Sequence, residues 1–143
     1  MEMTQRIVIL LLAMLAMLAG CSDTIHGKEY AEPAVARFRA LMKAHDFEKI
    51  YDSTSAQFKE ITPRDKGVAL FAAVDRKLGA FRSAEQINWS VNTNNGVTIV
   101  VLAYASKYAG GDATEIFTFQ VDDKTPVLVG YNIQSLELSL IHI

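Results

Sequence analysis

Residues 86–108 read QINWSVNTNNGVTIVVLAYASKY and carry the clearest structural pattern in the chain. Ile87 and Trp89 alternate with polar residues, which is typical of a strand that buries one face. Residues 94–96, Asn-Asn-Gly, offer the positive φ angles that a tight hairpin turn requires. The run 97–108 is apolar on both faces for much of its length, which indicates a central strand. The stretch therefore predicts an antiparallel hairpin within a larger sheet.

Two further strands are predicted after this hairpin. Two glycines at 110–111 supply a turn into a third strand, which carries Phe117 and Phe119. The acidic turn at 122–124 leads into a fourth strand over 127–135. Because the four strands are consecutive, the sequence predicts an antiparallel meander.

The residues before the sheet show helical spacing. Apolar residues within 34–42 recur at helical intervals and predict a first amphipathic helix. Asp46 is placed to cap a second helix that contains 47–51. Thr62, followed by a proline, predicts the cap of a third helix that Gly79 ends. Three helices followed by one antiparallel sheet are an α+β arrangement.

This order of elements resembles the nuclear-transport-factor-2-like (cystatin-like) fold, in which a curved four-stranded sheet wraps around N-terminal helices to form a cone. The resemblance covers roughly 30–135 and rests on residues 46–51 (DFEKIY), 77–79 (KLG) and 127–131 (VLVGY). The chain is similar in particular to small bacterial lipoproteins of unknown function with this fold. The resemblance implies a cone that is either a ligand pocket or a packed core.

The first twenty residues have the layout of an export signal. Arg6 lies on the positive side, and the run 7–18 is apolar and uncharged. That run is shorter than the roughly twenty residues that a transmembrane helix needs, which predicts that it is cleaved. Translation starts at either Met1 or Met3. A start at Met3 would leave out Glu2, the acidic residue at the positive end of the signal.

Residues 18–21, Leu-Ala-Gly-Cys, resemble the lipobox of bacterial lipoproteins. The resemblance implies cleavage between Gly20 and Cys21, with the thiol converted to a diacylglyceryl thioether and the new amine acylated as well. Cys21 is the only cysteine, so no internal disulfide is possible, and lipidation explains the single thiol. The alternative is an ordinary secreted protein with an accidental cysteine.

The residues after Cys21 bear on localisation and domain limits. In similar lipoproteins, an aspartate directly after the lipidated cysteine resembles a signal for retention in the inner membrane. This chain has Ser22 at that position, so the resemblance implies that the protein is anchored in the outer membrane, with its domain facing the periplasm. The stretch 22–29 is polar, has no apolar period and predicts a tether. The predicted division of the chain is as follows: signal peptide 1–20, lipidated cysteine and tether 21–29, single α+β domain 30–137, and a terminal stretch 138–143.

The terminal stretch 138–143, LSLIHI, reads like the translation of an adaptor used in preparing sequencing libraries. On this interpretation the natural chain is interrupted near Glu137. The alternative is a genuine terminal strand, because leucines alternate with other residues from Leu136 to Leu140.

Four residues are candidates for a pocket inside the cone: Asp75, Trp89, Tyr104 and Glu115. Asp75 lies among apolar residues of the third helix, where it is either a buried base or an acid on the solvated face of the helix. Tyr104 and Glu115 lie on neighbouring strands and can point into a cavity, with cross-strand pairing at the surface as the alternative. Trp89 is either a ligand platform or part of sheet-face packing.

The resemblance assigns no catalytic residue. Enzymes of this fold, such as ketosteroid isomerases, hold an aspartate base and acidic or phenolic hydrogen-bond donors inside the cone. None of those positions is matched in this chain. His45 and Asp46 are adjacent in a predicted helix-helix turn, where they suit capping better than catalysis.

Charge and residue spacing exclude several classes of partner. The formal net charge is -2 and no basic cluster occurs, so nucleic acid is excluded as a partner. The three histidines lack metal-ligand spacing, and neither a metal nor a cofactor is predicted.

Two function classes remain. One is a non-enzymatic envelope lipoprotein that binds a small ligand, a peptide or another envelope protein. The alternative is a cone-pocket enzyme of isomerase or dehydratase type. A homodimer through the sheet face, common among similar proteins, fits either class.

Overall fold

Helices precede one antiparallel sheet in the structure, a computed structural model that describes residues 23–139 and the side chains of 27–138. The helices are α1 (Asp23–Lys43), α2 (Phe47–Asp52), α3 (Ala56–Ile61) and α4 (Arg64–Leu78). The strands are β1 (Phe81–Asn94), β2 (Val97–Tyr108), β3 (Gly111–Asp122) and β4 (Thr125–Gln134), and a short α5 covers Leu136–Ser139. The strands lie in the order β1-β2-β3-β4. The predicted α+β class, with N-terminal helices on a four-stranded antiparallel sheet, is confirmed.

Tight turns join the strands. At the β1–β2 turn, Asn95 has φ 51° and Gly96 has φ 79°. At the β3–β4 turn, Asp123 has φ 42° and Lys124 has φ 65°. Two consecutive positive φ angles are what a two-residue hairpin loop needs to match the twist of its strands. The predicted hairpin at 94–96 is therefore confirmed.

One face of the sheet is buried under the helices. Buried and partly buried residues alternate along β3, so every second side chain of this strand enters the core. Phe117 of β3 is fully buried, and its ring centroid lies 5.1 Å from those of Phe38 in α1 and Tyr131 in β4. Phe38 also meets Phe71 of α4, at 5.7 Å. These rings join both long helices to the sheet.

The helix ends agree with the sequence in two places and differ in a third. Asp46 caps α2 by accepting from the backbone N–H of Lys49, and Gly79 ends α4 with φ 69°. The prediction that Thr62 caps the third helix is wrong, because its N–H donates to the carbonyl of Phe58 and ends α3 instead. Helix α3 was not predicted, since it has six residues and buries only Phe58, which is too little to produce a period.

The predicted burial of Ile87 and Trp89 on β1 is wrong. The strand begins at Phe81, and Ile87 and Trp89 are 54% and 43% exposed. Trp89 and Val91 pair with the buried Leu102 and Val100 and so share their face, but β1 is the edge strand and leaves Trp89 partly exposed. The register with β2 shifts between Gln86 and Asn88, and this shift takes Ile87 out of the alternation.

The predicted tether at 22–29 is helical from Asp23 onward. Gly27 explains the early start, because a Cβ at this position would lie 3.1 to 3.2 Å from side-chain atoms of Val91, Thr98 and Val100. The absence of a side chain lets this turn of α1 lie close against β1 and β2. The predicted signal peptide, Gly20 and Cys21 lie outside the described residues.

The end of the described chain does not form the alternative terminal strand. Residues Leu136–Ser139 form α5, and Leu138 packs against the core. Residues 140–143 lie outside the described residues, so the adaptor interpretation stays a prediction. Within 23–139, no helix has the length and apolar character needed to cross a membrane.

Candidate functional site

An open cavity lies where the last turns of α1, the end of α4 and the start of β1 meet. Its volume is about 530 Å³, which falls within the range of small-ligand pockets. Phe38 and Met42 of α1 and Phe81 of β1 supply apolar walls. The cavity is formed because α4 ends at Gly79 and the chain turns there into β1.

Polar groups stand at the rim of this cavity. His45, at the α1–α2 turn, has φ 55°, and its Nδ1 lies 3.0 Å from Oδ2 of Asp75 on α4. Lys43 also lines the cavity. Asp75, which was predicted as a pocket residue, thus lines the cavity and is paired there with His45. Within the described residues, the lining contains no serine, threonine or cysteine that this pair could activate as a nucleophile.

Glu115 of β3 lies in the core behind the cavity and is fully buried. Its Oε1 accepts hydrogen bonds from the hydroxyls of Tyr108, at 2.8 Å, and Tyr131, at 2.9 Å. Its Oε2 accepts from the hydroxyl of Ser106 and from Nη2 of Arg39, the latter at 3.3 Å. Four donors therefore surround one carboxyl group, which is how a buried acid avoids the cost of lost hydration.

Arg39 carries the positive charge of this cluster. Its guanidinium lies between the rings of Phe81 and Tyr104, at 4.2 and 4.9 Å from their centroids. The side chain is 16% exposed, and its Nε is buried without a hydrogen-bond partner among the described residues. The two rings hold the cation by contact with their faces, in the space between the cavity and Glu115.

The sheet register brings the cluster together. Tyr104 and Glu115 are directly opposite each other on β2 and β3, so both point to the helix-covered face. The alternative of a surface pair is wrong for Glu115. The two side chains are neighbours with different partners, and the Tyr104 hydroxyl accepts from Nε2 of Gln86 at 3.1 Å.

Trp89 does not belong to this site. It lies on the exposed edge strand, where the ammonium of Lys28 is 5.0 Å from the centre of its ring. Arg39, Tyr108 and Tyr131 were not among the residues predicted from the sequence. Arg39 had a signal, because it stands four residues after Val35 and so on the same helix face as the core.

The tyrosines that donate to Glu115 resist ionisation. Burial and the negative charge of Glu115 raise the pKa of Tyr131 well above its usual value, and the same two causes raise the pKa of Tyr108. A phenolate at either position would lie against the carboxylate in a site shielded from water. Both hydroxyls are therefore held as donors throughout the neutral pH range.

An alkaline titration tests these shifts. The chain has five tyrosines, and we expect Tyr108 and Tyr131 to ionise only as the protein unfolds. The unfolded state loses these protons near pH 10 while the folded state keeps them, so the stability that they contribute is complete below about pH 10 and declines above it. Ultraviolet absorbance reports phenolate, and the late step should shrink in Tyr131→Phe. Reversible ionisation of all five near pH 10 in the folded state would contradict the buried cluster.

The arrangement combines an open apolar cavity with a carboxyl group that is closed off behind it. Such a cavity can hold a small molecule by contact with Phe38, Met42 and Phe81, with polar groups at the rim to orient it. A scan against protein-family models finds no matching family, and a search of curated proteins finds no similar protein.

Proposed function

We propose that this protein is a lipid-anchored lipoprotein of the bacterial outer membrane, facing the periplasm, whose cavity binds a small ligand without transforming it. We also propose that it is one of the small bacterial lipoproteins with a nuclear-transport-factor-2-like domain. The Leu-Ala-Gly-Cys motif at 18–21 supports the anchor. The order of helices and strands supports the family.

The observation that carries the non-enzymatic proposal is the saturation of Glu115. A general base must have a lone pair within hydrogen-bond reach of the substrate. Both carboxyl oxygens of Glu115 already accept hydrogen bonds, from Arg39, Ser106, Tyr108 and Tyr131, and the side chain has no exposed surface. This acid therefore acts as a structural group beneath the cavity.

One observation favours the alternative of a cone-pocket isomerase or dehydratase. The His45–Asp75 pair stands at the rim, and an aspartate that accepts from Nδ1 can orient an imidazole for proton transfer. The side chain of His45 is 66% exposed, however, so water competes for its protons. Replacement of His45 by glutamine separates the two proposals, since it would abolish an enzymatic activity and leave apolar ligand binding in place.

Ligand binding is tested by filling the cavity. Ala40 of α1 lines it, whereas Ala36, one turn earlier on the same helix, is exposed and lies outside the lining. We expect the full chain to bind the fluorescent probe anilinonaphthalene sulfonate and Ala40→Trp to weaken this binding by about tenfold, or about 1.4 kcal/mol. Ala36→Trp is the matched control and should bind the probe as the parent does. Equal affinity in both variants would place the probe elsewhere and remove the support for a binding cavity.

The anchor is tested in the same preparations. Cells that express the full chain should retain it in the membrane fraction, with a lipid mass on Cys21, because two acyl chains anchor a protein stably. Cys21→Ala should release the protein from the membrane fraction. Retention of this variant would show that another part of the chain holds the membrane.

A further inference from the structure

Ile87 and Trp89 are exposed on the edge strand β1, and Lys28 of α1 lies over the Trp89 ring; these three residues are called the patch. We infer that this patch rests on the lipid headgroups of the membrane in which the protein is anchored; the inference rests on the proposed lipidation of Cys21. The partner is a phospholipid surface.

The chain leaves little distance between the anchor and the patch. A single residue, Ser22, separates Cys21 from the first residue of α1. Two extended steps add at most about 7 Å, and the five helical steps from Asp23 to Lys28 rise about 7.5 Å along the helix axis. Lys28 is thus within about 15 Å of the lipid-bearing residue, and headgroup regions are themselves about 5 to 7 Å thick. The side of the domain that carries Lys28 lies near the membrane.

The patch has the chemistry of a membrane interface. Trp89 is 43% exposed and Ile87, at the shift in the β1 register, is 54% exposed. The ammonium of Lys28 lies 5.0 Å from the ring centre of Trp89 and 3.1 Å from Oε1 of Glu32. Tryptophan and lysine place an apolar body beside acyl chains and a polar tip among headgroups. Within residues 23–139, no further strand covers this side, because β1 is the edge of the sheet.

Charge determines which side of the domain faces the lipid at the end of the sheet that carries the β1–β2 turn. The β3–β4 turn lies at the same end of the sheet as the β1–β2 turn, because Val121 pairs with Thr98. Asp122 and Asp123 of that turn are exposed, and phosphate groups would repel them. The domain is therefore expected to lean on its β1 edge, with the acidic turn directed away from the headgroups.

Trp89 reports this contact directly, since it is the only tryptophan in the chain. The lipidated full chain is reconstituted into phosphatidylcholine vesicles in which some headgroups carry a nitroxide quencher. We expect about a twofold loss of Trp89 emission relative to vesicles without the quencher, because the indole lies at headgroup depth. The control combines Trp89→Phe with Ile61→Trp. Ile61 is 76% exposed at the end of α3, which packs beside β4 at the opposite edge of the sheet, so the new indole should keep its emission.

The outcomes separate the inference from the proposed anchor. Strong quenching of Trp89 and weak quenching of the control supports the inference. Equal quenching at both positions, or none at Trp89 while the protein stays bound to the vesicles, overturns it; the latter would point to a protein partner for the patch. A chain that fails to bind vesicles and has an unmodified Cys21 mass overturns the anchor and the inference together.

Discussion

Replacement of Glu115 by alanine is expected to lower the free energy of unfolding by about 3–5 kcal/mol, the range measured when one partner of a buried ion pair is removed. The reason is the position of Arg39, whose Nη2 donates to Glu115 and whose side chain is largely buried between two aromatic rings. Without the carboxyl group, that cation and the hydroxyls of Tyr108 and Tyr131 lose their acceptor. Urea unfolding of the parent and the variant measures the difference in the free energy of unfolding. It is calculated from the two midpoint urea concentrations, with the same slope of free energy against urea for both proteins.

Asp112→Ala is the matched control, because it removes an acid from the same strand. Asp112 is 68% exposed and pairs with Lys107 in solvent, so its loss should change the midpoint little. The double replacement Arg39→Met with Glu115→Leu removes both charges and should recover part of the stability lost in Glu115→Ala. If Glu115→Ala unfolds at the same urea concentration as Asp112→Ala, the cluster does not stabilise the fold as its hydrogen bonds indicate.

Features that depend on local chemistry were predicted well from the sequence. The Asn-Asn-Gly turn at 94–96 and the extent of β2 follow from residues that are neighbours in the chain, and the structure places both where they were expected. The exposure of β1 depends on a distant fact, namely that β1 is the edge of the sheet within residues 23–139, even though α1 packs against it. Ile87 therefore has the alternation of a buried strand and the exposure of an edge residue.

The candidate site shows the same division. Glu115 was predicted from the sequence as a strand residue that can point inward, and it does. Its counterion Arg39 was not predicted, although it stands four residues after the buried Val35 on α1. The packing of α1 across β2 and β3 brings Arg39 to Glu115, and that packing is not a property of any one segment.

Phe117→Ala is expected to lower the free energy of unfolding by about 3–5 kcal/mol, as for other buried aromatic side chains truncated to alanine. Phe117 has no exposed surface, and its ring lies within 5.1 to 6.3 Å, between centroids, of the four aromatic rings around it. Those rings belong to Phe38, Tyr104, Phe119 and Tyr131, on α1, β2, β3 and β4. The truncation would leave a cavity at the point where these elements meet, and none of them can move in to fill it without losing its other contacts.

Ile87→Ala is the comparison that makes this prediction specific. Ile87 and Phe117 are both apolar strand residues, and the sequence alone gives each a place in the core. The structure leaves Ile87 54% exposed on the edge strand, so its truncation should change the stability by no more than about 0.5 kcal/mol. Urea denaturation of both variants measures the contrast, with the slope as a check that the unfolded state is unchanged. Similar losses would mean that β1 is covered in the folded protein, which contradicts the exposed edge on which the membrane contact of Trp89 depends.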